Sequence, residues 1–379
     1  MKSVKNAVKR ILLFFISKFP LQKKVVFCNF NGRGFGDDPK YITMELLRRN
    51  TSAQLVWLTK APQEDFPQGV KVARYGSFLA KYHCLTSRVW VFNTKNADHP
   101  VKRKKQYYIQ TWHGGIFGLK KVEKAVEHVP EFASYVQLSK RDSLMIDLMY
   151  SDNDLVKNDF ENNFWYDGPV IKCGIPRESI LINTPKEIPA SVRQKYNVPD
   201  DTKIVMYAPT FRADMSTDAY KWNYNRVLGE IEKKFGTRVM MFLRMHPNVN
   251  LDDDFFTETD RVRNVSSYPD MQELLATVDF CISDYSSCYF ELACLRSKPV
   301  FLIGLDFEHF TKNERSFHLP LEKIPFKICK SEDELCADIR AFSDEGYREK
   351  LDAFGRLIGL EEDGLGAEKL ADIIESKLV

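Results

Sequence analysis

The stretch that decides the fold is VVFCNF, residues 25–30, in which apolar side chains follow one another almost without a break. Alternating apolar and polar residues would indicate a strand with one solvent-exposed face, whereas a continuous apolar run is typical of a strand covered on both faces. Such strands belong to parallel sheets, in which a helix crosses from the end of one strand to the start of the next. We therefore predict a parallel α/β sheet that begins here.

The same pattern recurs in two series. The first continues at residues 55–59, 70–73, 89–92, 107–111 and 170–174, with helices predicted over 41–49 and 78–86. A polar, proline-containing stretch at 183–189 precedes the second series, at 203–208, 239–243, 262–265, 278–283 and 299–303, with helices over 224–235, 271–277, 287–295 and 347–378. The pattern predicts two doubly wound Rossmann-like domains, 25–182 and 183–345, that face an interdomain cleft. Residues 346–379 are expected to form C-terminal helices that pack back on the N-terminal domain.

Composition indicates a soluble globular protein, since 44% of the 379 residues are hydrophobic and 28% are charged. The eight cysteines show no CxxC or CxxH spacing, and several lie within apolar runs. They are therefore interpreted as reduced core residues, which favours the cytosol.

Residues 1–24 form a basic segment with seven Lys or Arg and no acid, which leaves 48 basic and 52 acidic residues in the rest of the chain. That mildly acidic remainder argues against general nucleic-acid binding. The longest apolar run of the segment, residues 11–16, is far shorter than the roughly 20 residues of a spanning helix. We predict an amphipathic helix on an anionic membrane surface, ended by Pro20. The alternative is a basic helix packed on the protein's own body.

The stretch QTWHGG, residues 110–115, places His113 at the end of a predicted strand with two glycines after it. Glycines let the backbone approach a ligand closely, and an imidazole titrates near neutral pH. His113 is therefore a candidate general base. The alternative is a packed histidine in a tight turn.

Two further strand ends carry candidate anion-binding residues. Arg244 and His246 point to the same side if the chain stays extended, and together they form a candidate clamp for phosphate oxygens. A surface arginine and a capping histidine are the alternative. Ser286 and Ser287 lie at a strand-to-helix turn, where backbone N–H groups favour an anion, although an ordinary serine N-cap fits as well.

Thr210 and Arg212 follow another strand and add weaker support for the same cleft. Two histidines, two arginines and two serines at strand ends favour a phosphate-rich ligand. Neither a GxGxxG nor a GxxxxGK[ST] motif is present, so a dinucleotide fingerprint and a P-loop are not supported. The histidines have no acidic or thiol partner at ligand spacing, so we expect a site without a required metal, with dependence on Mg²⁺ left open.

The motifs resemble those of the CDP-glycerol glycerophosphotransferase family of teichoic acid synthesis. In order they are residues 112–114 with Lys120 and Lys121, 207–212, 244–247, and 284–287 with Lys298 and Pro299. Residues 30–41 and 328–335 also look like family segments. The resemblance covers nearly the whole chain after residue 24.

This resemblance implies a GT-B-like core with His113 and His246 as the essential catalytic histidines. It places the donor pyrophosphate at Ser286 and Ser287. The other implied donor-binding residues are Thr210, Arg212, Arg244 and Asp284, with Glu291 at the nucleotide ribose. The chain departs from the family pattern at Gly115, Ile116, Phe211 and residues 315–319.

The implied activity is the transfer of glycerol phosphate, or a related polyol phosphate, from CDP-glycerol or a CDP-polyol. The implied acceptor is a hydroxyl of a lipid-linked saccharide or polyol phosphate, reached by a peripheral protein at the cytoplasmic face of the cell membrane. CMP is the expected product. The alternatives are a nucleotide-sugar-dependent GT-B glycosyltransferase or epimerase, and a non-catalytic scaffold. The choices between primase and polymerase and between glycerol and ribitol stay open.

Overall fold

The computed structural model describes residues 11–63, 65–95, 99–113, 123–212, 216–246, 249, 259–313 and 319–379. The chain divides into two compact units. The first is built from the described parts of residues 1–113, 122–179 and 361–379, and the second from those of 180–360.

The first unit contains a parallel sheet whose strands are ordered β3-β2-β1-β4-β5. The strands are β1 (Gln22–Cys28), β2 (Gln54–Thr59), β3 (Val70–Arg74), β4 (Ser87–Phe92) and β5 (Tyr107–Gln110). A parallel pair, β6 (Met149–Ser151) and β7 (Val170–Lys172), adjoins β5 through a parallel bridge between Ile109 and Leu148. The chain therefore winds outward from β1 in both directions, as in a doubly wound fold.

The residues of β1 alternate between two hydrophobic clusters. Val25 and Phe27 pack with helix residues such as Ile42 and Leu370 in one cluster. Val26 and Cys28 belong to a second cluster on the other side of the strand. Between residues 37 and 163, the α-helices of the first unit are α1 (Asp37–Arg48), α2 (Phe78–Thr86), α3 (Ala133–Ser143) and α4 (Asp154–Asn163). Burial on both faces explains why the stretch from residue 25 is continuously apolar.

The second unit repeats the topology with the parallel order β10-β9-β8-β11-β12-β13. Its strands are β8 (Thr202–Tyr207), β9 (Arg238–Leu243), β10 (Val262–Asn264), β11 (Phe280–Ser283), β12 (Val300–Ile303) and β13 (Ile328–Cys329). The helices from residue 179 to residue 358 are α5 (Ser179–Ile182), α6 (Glu187–Lys195), α7 (Tyr224–Phe235), α8 (Met271–Thr277), α9 (Cys288–Arg296), α10 (Phe307–Asn313), α11 (Glu332–Ala341) and α12 (Asp344–Ile358). The last helix, α13 (Gly366–Lys377), belongs to the first unit. Short 3₁₀ helices span Glu123–Val126, Pro130–Phe132, Pro176–Glu178, Asp218–Tyr220 and Leu321–Lys323.

Two parallel, doubly wound α/β units confirm the predicted fold class. All eight cysteines are free, as their apolar surroundings predict. Residues 1–10 of the predicted amphipathic helix lie outside the described residues, whereas residues 11–16 are helical. No helix in the described ranges is both long enough and apolar enough to cross a bilayer.

The last helical stretch, predicted over residues 347–378, consists of two helices. Gly359 adopts a left-handed φ of 62° and caps α12, which ends that helix. Helix α12 packs within the second unit, where the hydroxyl of Tyr347 donates to the backbone oxygen of Lys298 (2.7 Å). Helix α13 buries Leu370 and Ile374 in a cluster of the first unit. Of residues 346–379, only α13 and its preceding loop therefore pack on the N-terminal unit.

Candidate functional site

His113 lies just beyond β5 and is half-buried. Its Nδ1 lies 2.6 Å from the backbone oxygen of Asn93. A carbonyl oxygen only accepts hydrogen bonds, so Nδ1 carries the hydrogen and Nε2 carries the lone pair. This is a tautomer in which an imidazole can receive a proton at Nε2.

Burial lowers the pKa of His113, because the charged imidazolium is poorly solvated there. The bond to the Asn93 carbonyl and the negative charge of Asp37 act in the opposite direction, and the positive charge of Arg177 adds to the lowering. The net effect keeps the imidazole neutral at pH 7. A neutral imidazole is the form that a general base requires.

Asn93 links His113 to the start of α1. The Asn93 side-chain nitrogen donates to Oδ2 of Asp37 (2.6 Å) and to Oδ1 of Asn29 (2.6 Å), and its side-chain oxygen accepts from the backbone N–H of Phe30 (2.7 Å). Neither Asn93 nor Asp37 is among the site residues predicted from the sequence, although Asp37 lies in the segment 30–41 that resembles the family. The available signal for Asn93 was a polar residue directly after the apolar run of β4.

The backbone turn before His113 is held by a second chain of hydrogen bonds. Trp112 adopts a left-handed φ of 56°, and its N–H donates to Oε1 of Gln110 (3.0 Å). The Gln110 amide donates to the hydroxyl of Tyr108 (2.8 Å), which donates to Asp142 (3.1 Å). Gln110 is buried, so these bonds are not exchanged with water. The backbone turn before His113 is thus fixed by side chains of β5, which in turn bond to Asp142 of α3.

The loop after β1 brings an aromatic ring against the histidine. Phe30, Asn31, Gly32 and Asp37 all have left-handed φ angles. A Cβ on Gly32 would lie 2.7 Å from the Cβ of Tyr75, so only glycine fits there. The turn places the Phe30 ring edge-on to the His113 ring, with centroids 5.0 Å apart.

In the second unit, Asp284 connects two loops that follow neighbouring strands. Its Oδ1 accepts from the backbone N–H groups of Thr210 (2.7 Å) and Tyr285 (2.6 Å), and its Oδ2 pairs with Nη1 of Arg212 (2.8 Å). Asp284 is buried, so it organises the loops after β8 and β11. The structure thereby brings together Thr210, Arg212 and Asp284, which the sequence analysis proposed as donor-binding residues.

Most of the hydrogen-bond donors of Arg212 bond to groups within the second unit. Nε and Nη2 bond to the two oxygens of Asp306 (2.6 and 3.0 Å), and Nη1 also donates to the backbone oxygen of Thr210 (2.6 Å). A guanidinium has five N–H groups, so little capacity is left for an additional anion. The geometry assigns Arg212 a role in holding the loops together.

Arg244 and His246 differ in their surroundings at the end of β9. Nη1 of Arg244 donates to the backbone oxygens of Val265 (3.0 Å), Ser266 (3.0 Å) and Tyr268. His246 is exposed, and its ring centroid lies 5.3 Å from that of Phe211. Arg244 therefore holds the loop after β10, whereas His246 is exposed on the second unit.

Ser286 and Ser287 precede α9. Ser287 is the N-cap residue, but its side chain makes no capping hydrogen bond. The Ser286 hydroxyl contacts Sγ of Cys288 (3.2 Å). Glu291, in the first turn of α9, is buried and accepts from the side-chain amide of Gln272 (2.6 Å). The two serines thus lie half-buried at a helix start, where an anion is favoured electrostatically.

One acidic cluster in the described ranges has the spacing of metal ligands. Oxygen atoms of Asp152, Glu178 and Glu362 lie within 4.8 Å of one another. Both oxygens of Glu362 accept backbone N–H groups, from Ile175 (2.6 Å) and Gly364 (2.8 Å). Burial raises the pKa of Asp152 to about 7 and also raises that of Glu362. The bonds of Glu362 attach the segment before α13 to the first unit.

Several residues named in the sequence analysis lie outside the described residues. They are Gly114, Gly115, Ile116, Lys120, Lys121, Pro247 and residues 315–318. The convergence of His113 and His246 stays a prediction from the sequence.

The chain is similar to proteins of teichoic acid synthesis. The model of the CDP-Glycerol:Poly(glycerophosphate) glycerophosphotransferase family matches residues 11–376. A teichoic acid poly(glycerol phosphate) polymerase of Staphylococcus epidermidis is 28% identical over 94% of this chain, which spans only 51% of that protein. A teichoic acid glycerol-phosphate transferase of Staphylococcus aureus is 26% identical, with 98% of this chain and 99% of that protein covered. A solved variant of the wall teichoic acid polymerase TagF soaked with CDPG has a TM-score of 0.84 and 26% identity, over 100% of this chain and 96% of that one.

Proposed function

Because the chain belongs to the CDP-glycerol:poly(glycerophosphate) glycerophosphotransferase family, we propose that it transfers glycerol phosphate from CDP-glycerol to an acceptor hydroxyl in teichoic acid synthesis. The observation that carries this proposal is the 2.6 Å contact between Nδ1 of His113 and the backbone oxygen of Asn93, which leaves Nε2 as the nitrogen that can accept a proton. A relative of nearly equal length is a glycerol-phosphate transferase, and a similar structure was soaked with CDPG.

In the proposed reaction the acceptor oxygen attacks the β-phosphorus of the donor, and a new oxygen–phosphorus bond forms. The bond from this phosphorus to the bridging oxygen breaks, and CMP leaves with that oxygen. Nε2 of His113 takes the proton of the attacking hydroxyl. Proton removal by a positioned base contributes about 10²- to 10⁴-fold to the rate.

We assign donor binding to the loops of the second unit. The start of α9, with Ser286 and Ser287, offers backbone N–H groups to the pyrophosphate. His246 donates to a phosphate oxygen as negative charge redistributes. The shape of this region depends on Arg212 and Arg244, as well as on Thr210 and Asp284. We assign Glu291 to the nucleotide ribose.

The acceptor is proposed to be a lipid-linked saccharide or polyol phosphate. Support comes from residues 11–19, where Ile11, Leu12, Phe14, Phe15 and Phe19 are exposed beside Lys18. Aromatic and aliphatic side chains next to lysines favour the interface of an anionic membrane. We propose that the protein is peripheral at the cytoplasmic face and does not bind nucleic acid.

No resident metal has a step in this proposal, since His113 supplies the base and N–H groups supply the anion contacts. Assays with EDTA and with added Mg²⁺ measure whether turnover depends on a divalent cation. Retained turnover in EDTA supports the metal-independent reaction.

The experiment that tests the function is a donor screen with a lipid-linked acceptor. CDP-glycerol, CDP-ribitol and nucleotide sugars are offered in parallel, and the products are identified by mass spectrometry. We expect CMP and a product that has gained one or more glycerol phosphate units. Release of a nucleoside diphosphate would instead identify a glycosyltransferase, and no turnover with any donor would support the scaffold.

The base assignment is tested with His113→Ala. We expect turnover to fall at least about 10²-fold, while the affinity for CDP changes little because the ring does not bind the nucleotide. His128→Ala, at another histidine of the same unit, is the matched control and should keep full activity. Full turnover by His113→Ala would remove this residue from the mechanism.

A further inference from the structure

A connected set of side chains runs from His113 to the 3₁₀ helix Pro176–Glu178 inside the first unit. The imidazole bonds to the backbone of Asn93, and the side chain of Asn93 bonds to Asp37. Nη1 of Arg177 lies 3.3 Å from Oδ1 of Asp37. The Asp37 and Arg177 side chains are largely shielded from water, so their charges act on the imidazole with little screening.

Arg177 is held independently of Asp37. Asp38 accepts from the backbone N–H of Arg177 (2.9 Å) and from its Nη1 (3.0 Å). Asp38 is fully buried, and Arg177 is nearly so. The pair therefore stays together if the carboxylate of Asp37 is removed, which allows Asp37 to be varied without dismantling the attachment of α1.

The geometry of Asp37 differs from that of an ordinary helix-capping aspartate. It occupies the first position of α1 with a left-handed φ of 56°, and the N-cap position belongs to Gly36. A non-glycine residue in this region is strained, and such strain persists only where surrounding contacts compensate for it. Here Oδ2 is directed to the Asn93 amide and Oδ1 to Arg177.

We infer that Asp37 is a positioning residue which, through Asn93, holds His113 with Nε2 unprotonated and stabilises the imidazolium formed when His113 accepts a proton. The inference rests on the proposed role of His113 as the base. Asp37 is then the carboxylate that supports His113 in this role. The arrangement follows the logic of a carboxylate–histidine pair, with an asparagine inserted between the two groups.

Two charged groups act on the His113 imidazole from the described elements around it. Asp37 at the start of α1 raises the pKa of His113, and Arg177 lowers it. Among the described residues, the Asn93 carbonyl and the rings of Phe30 and Trp112 also contact the imidazole, and they carry no charge. Without the negative charge of Asp37, the positive charge of Arg177 still acts on the His113 imidazole, which must itself become positive when it accepts a proton.

The test compares Asp37→Asn with the unchanged full-length chain. The amide keeps the size of the side chain and removes its charge. We expect kcat to fall between about 10- and 100-fold, less than the roughly 10⁴-fold lost when a carboxylate bonded directly to a catalytic histidine is removed. The KM for the donor should change less than about twofold. The acid limb of the kcat/KM profile should move to lower pH, because the pKa of the base falls.

A second measurement does not depend on turnover. In protein with ¹³C-labelled histidine, the His113 resonance is assigned by its loss in His113→Ala, and its pKa is read from a pH titration. We expect a lower pKa in Asp37→Asn than in the unchanged chain. Asp167→Asn, at an exposed position of the same unit, is the control and should change neither the titration nor kcat.

The outcomes separate this inference from the proposed function. If His113→Ala is inactive while Asp37→Asn keeps the unchanged kcat and His113 pKa, the inference is wrong and the base assignment stands. If His113→Ala is fully active but the pKa still falls in Asp37→Asn, the electrostatic link stands and the base assignment fails. Should Asp37→Asn not fold, Asn93→Ala replaces it, and an unchanged acid limb in that variant overturns the inference.

Discussion

Arg212 and Arg244 are both turned into the second unit, and their different partners decide what each contributes. Nη1 of Arg244 bonds to uncharged backbone carbonyls. Arg212 neutralises two carboxylates, Asp284 and Asp306. A buried ion pair adds little net stability compared with an apolar pair, but loss of one partner leaves a charge without compensation.

Arg212→Met is therefore predicted to destabilise the second unit by about 3 kcal/mol, because Asp284 would stay buried without its counter-charge. Urea denaturation followed by circular dichroism measures the change. Arg226→Met is the matched control, since Arg226 is exposed while it pairs with Asp333, and its loss should change the urea midpoint much less than the loss of Arg212. Equal stability of the two variants would contradict the role of Arg212 as a link between loops.

At the scale of elements, attachment of α13 to the first unit depends on a close backbone contact. Gly366 is the first residue of α13, and a Cβ built on it would lie 2.8 Å from backbone carbons of both Gly174 and Ile175. Backbone atoms cannot move aside as a flexible side chain can. The contact therefore requires glycine even though its φ angle is an ordinary one.

Gly366→Ala is predicted to destabilise the first unit by more than about 1 kcal/mol and to loosen α13, because the added methyl group overpacks a backbone contact. Gly229→Ala is the matched control inside α7, where a Cβ would meet nothing within 4 Å. It should stabilise that helix by about 0.5–1 kcal/mol. Thermal unfolding and hydrogen exchange of residues 366–377 distinguish the two results, and protection of α13 at the unchanged level in Gly366→Ala would refute the packing argument.

At the scale of the whole molecule, an exposed apolar surface lies near the N-terminal end of the described chain. Phe14 and Phe15 are each 59% exposed, and Nζ of Lys18 lies 4.9 Å from the Phe14 ring centroid. The chain just after this surface is attached to the first unit, since Arg103 donates to the backbone oxygen of Phe19 (2.8 Å). The two rings are therefore exposed on the first unit.

Replacement of both rings, in Phe14→Ser with Phe15→Ser, is predicted to weaken binding to phosphatidylglycerol-containing vesicles at least about tenfold, because apolar area no longer enters the interface. Stability should not change, since the rings are not part of the core. Leu144→Ser, at a leucine that is 86% exposed in the same unit, is the control and should bind normally. Co-sedimentation at low and high salt measures both effects, and unchanged binding of the double variant would exclude this surface as the membrane contact.

The sequence by itself determined the fold class, because burial of a strand on both faces demands a continuous apolar run. Helices predicted over 224–235 and 271–277 have those bounds in the structure. The short strands β6 and β13 were not predicted. The order of the strand-end motifs also sufficed to identify the family.

Only the tertiary structure decided which partners the polar side chains have. Asn93 and Asp37 are 56 positions apart, and nothing in their local sequence predicts that they share a hydrogen bond. Arg212 is predicted from the sequence as a donor-binding arginine, and only the structure shows that Asp306 accepts hydrogen bonds from two of its nitrogens. Hydrophobic burial follows periodicities that can be read along the chain. A hydrogen bond or ion pair instead depends on distances of about 3 Å between atoms that the fold alone brings together.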